Sequence, residues 1–117
     1  MRLREIIVLL DGEVVQGPEQ ADEIEVETCF AADLMSDVLR YSQPGALLVT
    51  GLVSIQSVHT ADVADLAAIL YVSDKRPAPA VLELAREKRI VLFTTRLAML
   101  DACGILHDAG LKAALRT

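Results

Sequence analysis

Three short apolar runs, each closing on small polar residues, constrain this chain more than any other feature. Ala46–Val49 runs into Thr50-Gly51, Ala67–Val72 into Ser73-Asp74, and Ile90–Phe93 into Thr94-Thr95. Runs of this length without polar alternation belong to strands buried on both faces. Helix-like segments separate them, which is the pattern of parallel strands joined by crossover helices. The expected fold is α/β: a mainly parallel sheet with crossover helices on both faces. In such sheets ligands bind outside the carboxyl ends of the strands, where these polar residues fall.

With 117 residues the chain is expected to form one domain, 1–117, with its own core. Hydrophobic residues make up 53% and aromatic residues only 3%, so Leu, Val, Ile and Ala must build that core. The net charge of −6 argues against nucleic acid, whose phosphates require a basic stripe. A nucleotide or other small anion stays compatible, because helix N-termini and backbone amides bind phosphate without many cations. Cys29 and Cys103 follow no metal spacing and read as reduced thiols of a cytoplasmic protein. Arg2 and Arg4 precede only the short run Ile6–Leu10 before Asp11, unlike a signal peptide. No run approaches the roughly 20 apolar residues of a membrane span.

The pattern predicts a helix over Leu3–Leu10, a turn at Asp11-Gly12, and a strand over Glu13–Gln16 stopped by Gly17-Pro18. Glu19–Glu23 reads as a solvated acidic loop. Ile24–Phe30 alternates apolar and acidic residues, as a strand with one exposed face near a sheet edge does. Asp33 is the expected N-cap of a helix over 34–41 with Leu34, Val38 and Tyr41 inward. Gln43-Pro44-Gly45 then turns the chain into the first buried strand. Further helices are expected over Ile55–Leu66, over Ala80–Lys88, and over Arg96–His107 with Thr95 as cap and Gly110 as stop.

No constellation of catalytic type is present: the chain lacks GxxxxGK[ST], GxGxxG and a nucleophile elbow. The candidate ligand contacts are Thr50, Gly51, Ser54, His59, Ser73, Asp74, Lys75, Thr94, Thr95 and Arg96. Thr50-Gly51 precedes a helix and can offer amides to an anion. Ser73-Asp74-Lys75-Arg76 joins two positive charges to a strand end and reads either as a phosphate contact or as a solvated loop, and Arg96 brings a guanidinium to the next strand end. His59 reads either as a base or ligand contact, or as a solvent-facing helix histidine. His107 suits the end of the last helix. Neither histidine has carboxylate partners at metal-ligand spacing, so neither a metal nor another cofactor is expected.

From about Asp33 onward the chain resembles the DRTGG domain. The stretches that carry the likeness are Pro44–Thr50, Leu66–Leu70, Val81–Ala85 and Arg89–Thr95. Such domains occur in some phosphotransacetylases and CBS-domain pyrophosphatases, and as short stand-alone proteins. They are similar to the N-terminal domain of HPr kinase/phosphorylase, whose kinase activity lies in a separate P-loop domain. Where the family has Asp-Arg and Thr-Gly-Gly, this chain has Val53-Ser54 and Ser73-Asp74-Lys75. The resemblance implies a regulatory or ligand-sensing module rather than an enzyme, and a homodimer. The alternative is an interaction or assembly module with no small ligand.

Overall fold

The computed structural model describes residues 1–115. Six strands form one sheet: β1 (Glu13–Gln16), β2 (Thr28–Ala31), β3 (Leu47–Thr50), β4 (Ala68–Tyr71), β5 (Val91–Thr94) and β6 (Lys112–Ala113). Five α-helices join them: α1 (Leu3–Leu9), α2 (Met35–Tyr41), α3 (Ile55–Val63), α4 (Pro79–Lys88) and α5 (Met99–Asp108). The strand order is β1-β5-β4-β3-β2-β6. Only β1 is antiparallel; β2 to β6 run parallel. The α/β architecture expected from the three apolar runs is the one observed.

The handedness of crossovers explains the layers. From β2 to β5 each connection steps one place in the same direction, so right-handed crossovers put α2, α3 and α4 on one face. The connection from β5 to β6 steps back across the sheet, which sends α5 to the other face, where α1 also lies. Alternate strand residues serve the two layers. Leu47, Val49, Leu70 and Phe93 pack with α1 and α5 residues such as Ile6 and Leu106. Leu48, Ile69, Tyr71 and Leu92 pack with Val38, Val58 and Val81 from the opposite helices. β3, β4 and β5 are buried throughout. No helix among the described residues is long and apolar enough to cross a membrane.

Several local expectations are corrected. The acidic stretch is not a free loop but a 3₁₀ helix over Pro18–Glu23, entered from Gly17 at φ 77°. It is tied to α1: Arg4 Nε donates to Asp22 Oδ1 at 2.8 Å, and Arg2 Nη1 donates to the Asp22 carbonyl at 2.8 Å. The strand expected over Ile24–Phe30 shrinks to β2. Ile24 and Val26 pair instead with the chain's first residues, through Leu3 N to Ile24 O and Val26 N to Met1 O. β2 does lie near the sheet edge, with the unforeseen two-residue β6 outside it after Gly110. Asp33 caps nothing, and α2 begins at Met35 with Leu34 and Tyr41 exposed and Met35 and Val38 inward. In place of the helix expected over Ile55–Leu66, α3 ends at Val63, and Ile55 is exposed. Thr95 is no helix cap: α5 starts at Met99, and Leu100 is 83% exposed rather than packed.

One buried polar contact ties the sheet to the helix layer. Ser57 Oγ donates to the Ser54 carbonyl at 2.6 Å, so the Tyr71 hydroxyl donates to Ser57 Oγ at 2.7 Å. Burial pushes the Tyr71 phenol above its ordinary range. Ser57→Ala would leave that hydroxyl buried without a partner, at a cost of about 1–3 kcal/mol. Ser57→Ala combined with Tyr71→Phe is expected to recover most of the loss. Urea unfolding of the two variants checks this; equal destabilisation in both would disprove it.

Candidate functional site at the carboxyl ends of the sheet

The registers bring three strand ends level: Thr50 stands beside Tyr71, and Tyr71 beside Thr94. The loops that follow therefore emerge together. The loop after β4 leads to α4 on one face, whereas the loop after β5 leads to α5 on the other. Neighbouring strands whose connections part in this way open a crevice between their carboxyl ends. A cavity of about 320 Å³ lies there, lined by Asp11, Gly12, Glu13, Asp74, Arg76, Thr94, Thr95 and Arg96.

Two loops are stitched together to make its floor. Ser73 N donates to Leu97 O at 2.7 Å and Asp74 N donates to Thr95 O at 2.8 Å. Ser73 and Asp74 both adopt left-handed backbone, at φ 62° and 58°. Such a pair of non-glycine residues is costly and persists because the cross-loop bonds hold it. The same bonds tie 95–97 to the loop after β4, and α5 starts only at Met99. Thr95 is buried; its hydroxyl donates to Leu10 O at 2.8 Å and accepts from Leu97 N at 3.3 Å.

The α1–β1 turn closes the third side. A Cβ on Gly12 would stand 3.2 Å from both Phe93 Cδ2 and the Thr94 carbonyl, so glycine allows the turn to lie against β5. Glu13 then meets Arg76 across the end of β5. Arg76 Nη1 donates to Glu13 Oε2 at 2.9 Å and Nη2 donates to Oε1 at 3.2 Å. Asp74 Oδ1 lies 3.7 Å from the same Nη2. The hydrogen bond from Arg76, then its charge, holds the Glu13 carboxyl below the usual carboxylate range. Arg96 lines the cavity with no carboxylate within ion-pair distance among the described residues.

A second cluster sits over the end of β3. Asp33 Oδ1 accepts from Thr50 Oγ1 at 3.1 Å and from Gly51 N at 2.7 Å. Thr50 Oγ1 also accepts from Leu52 N at 3.1 Å. Lys75 Nζ donates to the Gly51 carbonyl at 3.1 Å. The donors expected for an external anion at Thr50-Gly51 are thus engaged by the chain's own carboxylate. Ser54 precedes α3 without capping it, and its Oγ is buried without a hydrogen-bond partner.

Of the sequence candidates, Asp74, Thr94, Thr95 and Arg96 meet in the cavity, and Ser73 supports it from behind. Thr50, Gly51 and Lys75 meet at the Asp33 cluster. His59 joins neither; it lies on the outside of α3 in a groove with Leu39, Ile55 and Val63. Sequence reasoning did not assign Asp11, Glu13 or Asp33 to the site. Asp33 was hidden by its plausible cap position. Of the two cations expected in the loop after β4, Arg76 lines the cavity and Lys75 goes to the Gly51 carbonyl. Nothing local marks Asp11 or Glu13, because the pairing of β1 beside β5 brings them there. Among the described residues no group of three potential metal ligands occurs.

The DRTGG domain model matches residues 5–109, and the chain belongs to that family. No curated protein matches it significantly. It is similar in fold to a solved structure from Clostridium perfringens: the CBS and DRTGG domains of the regulatory region of a pyrophosphatase, complexed with the activator diadenosine tetraphosphate. The TM-score is 0.69 at 15% identity, over 98% of this chain and 50% of that one. The chain thus spans half the length of this neighbour.

The Glu13–Arg76 pair gives a measurable pH signature. A carboxyl with a lowered folded-state pKa stabilises above its ordinary titration range and loses that contribution only as pH falls through the lowered value. The Glu13 side-chain carboxyl, followed by carbon NMR, is expected to titrate below ordinary glutamates. In Arg76→Gln its midpoint should rise into the usual range. An unchanged midpoint would show that the pair does not form in solution.

Proposed function

We propose that this DRTGG domain is a non-catalytic regulatory module that binds a small phosphate-bearing ligand, a nucleotide, in the cavity between the ends of β4 and β5. The observation that carries this reading is the coincidence of that cavity with the reversal of connections, where α/β sheets receive ligands. The nucleotide activator of the pyrophosphatase regulatory region supports the ligand class. Arg96 serves the phosphate as a charge-assisted donor, with Arg76 beside it. Asp11 and Asp74 accept from ribose hydroxyls, as acidic residues at strand ends do in dinucleotide-binding folds. Phosphoryl transfer needs a phosphate cradle and carboxylate-held metal; the cavity residues are assigned to binding alone.

Titration of isotope-labelled protein with ATP tests the site. Shifts are expected at Asp74, Thr95 and Arg96, and Arg96→Ala should weaken binding about fivefold or more. No phosphate should be released on prolonged incubation. ATP-induced shifts confined to residues 19–27 or to α3 would place the ligand elsewhere and overturn the reading.

The family resemblance and one surface feature favour a homodimer built through α3. Val63 is 75% exposed and stands with Ile55 and Leu39 on an apolar strip beside His59. A two-fold axis through this strip would cover it with its own copy. Val63→Lys is expected to lower the sedimenting mass from dimer to monomer. A wild-type chain that sediments as a monomer at tens of micromolar, a concentration matched to ordinary interface strengths, would refute the dimer without touching the ligand site.

A further inference from the structure

We propose that the Glu13 carboxylate is an internal stand-in for the ligand's phosphate: it occupies the Arg76 fork when the cavity is empty, and the ligand takes its place when the cavity fills. The inference rests on the cavity being the ligand site and adds how that site is kept and released.

The geometry is that of a strap. Arg76 follows β4, Glu13 opens β1, and β5 lies between these two strands. Their two-pronged contact, at 2.9 and 3.2 Å, therefore crosses the carboxyl end of β5, over the Thr94 and Thr95 that line the cavity. A guanidinium fork meets carboxylate and phosphate in the same bidentate manner, so one anion can replace the other without moving the fork. Both partners are at least half exposed, and exposed ion pairs contribute little, so the exchange meets a small barrier in free energy. Asp74 stands 3.7 Å from Nη2 on the loop side and keeps Arg76 at the cavity after Glu13 leaves.

At the Asp33 cluster, too, a carboxylate of the chain occupies a strand-end donor. There a carboxylate takes the Gly51 amide at 2.7 Å, the donor that a strand-end anion would seek. Glu13 differs in its attachment. It lies at the start of β1, whose register on β5 is irregular between Val14 and Gln16. Exchange at Arg76 removes the side-chain tie that holds this edge strand near the cavity, so occupancy is transmitted to β1 and to α1 before it. That supplies a path from ligand to the outer face of the molecule.

The experiment is an ATP titration of the full chain by NMR at fixed ionic strength, with adenosine as the phosphate-free control. Glu13→Gln removes the competing charge and should tighten ATP binding about two- to fivefold while leaving adenosine unaffected. In the wild-type chain, saturating ATP should move the Glu13 carboxyl signal to its position in Arg76→Gln, and the Val14 and Gln16 amides should exchange faster. Equal or weaker ATP binding by Glu13→Gln, with Arg96→Ala still impaired, would overturn the stand-in while leaving the nucleotide site intact. If neither the wild type nor Glu13→Gln responds to ATP at Asp74, Thr95 and Arg96, the site reading and the strap fail together.

Discussion

The right-handedness of strand–helix–strand crossovers fixes where chemistry can happen in this protein. While the chain steps from β2 to β5 in one direction, its helices must stay on one face. Turning back toward β6 forces α5 to the other face. The loops after β4 and β5 consequently diverge, and no helix fills the gap between them. The cavity is the residue of that geometric conflict. β1 then completes it, because the antiparallel edge strand begins where β5 ends and brings Asp11, Gly12 and Glu13 with it.

At both polar clusters the chain supplies its own anions. Asp33 engages the Gly51 amide and Thr50, and Glu13 engages Arg76. The two differ in what holds them. Asp33 accepts two donors beside a buried strand end, whereas Glu13 accepts one fork in solvent. A carboxylate that accepts backbone and hydroxyl bonds at a helix–strand junction fixes local structure. One that meets an exposed arginine contributes little to stability and is easily exchanged. The two clusters look alike by composition, and their surroundings separate a structural tie from a replaceable one.

Most of the fold was legible because burial on both faces leaves no alternation, and β3, β4 and β5 are the three continuous apolar runs. Glu13–Gln16 was equally plain, bounded by Gly12 and Gly17-Pro18. Failures came where a residue has two compatible partners. Asp33 suits a helix N-terminus, yet the Gly51 amide competes for it successfully. Thr95 suits a cap, yet its hydroxyl goes to Leu10 and the bonds from Ser73 and Asp74 tie the following backbone to the loop after β4. β6 has two residues and no pattern of its own; only the open edge of β2 makes it a strand. The half of the site built by Asp74, Thr94, Thr95 and Arg96 follows from strand ends alone. The other half depends on strand order, which no local pattern encodes.

The charge of the cavity sets what it can select. Asp11, Glu13 and Asp74 face Arg76 and Arg96, so carboxylates outnumber guanidiniums even before the chain's net −6 is considered. A bare polyanion gains little from such a lining and approaches against the overall field. A ligand with hydroxyl or amino donors at one end and phosphate at the other matches both kinds of group, which is the constitution of a nucleotide. In the proposed exchange, phosphate at Arg76 would leave the freed Glu13 carboxylate facing solvent and an incoming negative charge. Repulsion between them would favour moving β1 outward, so in that proposal the electrostatics that limits what the cavity accepts also gives its occupancy a direction.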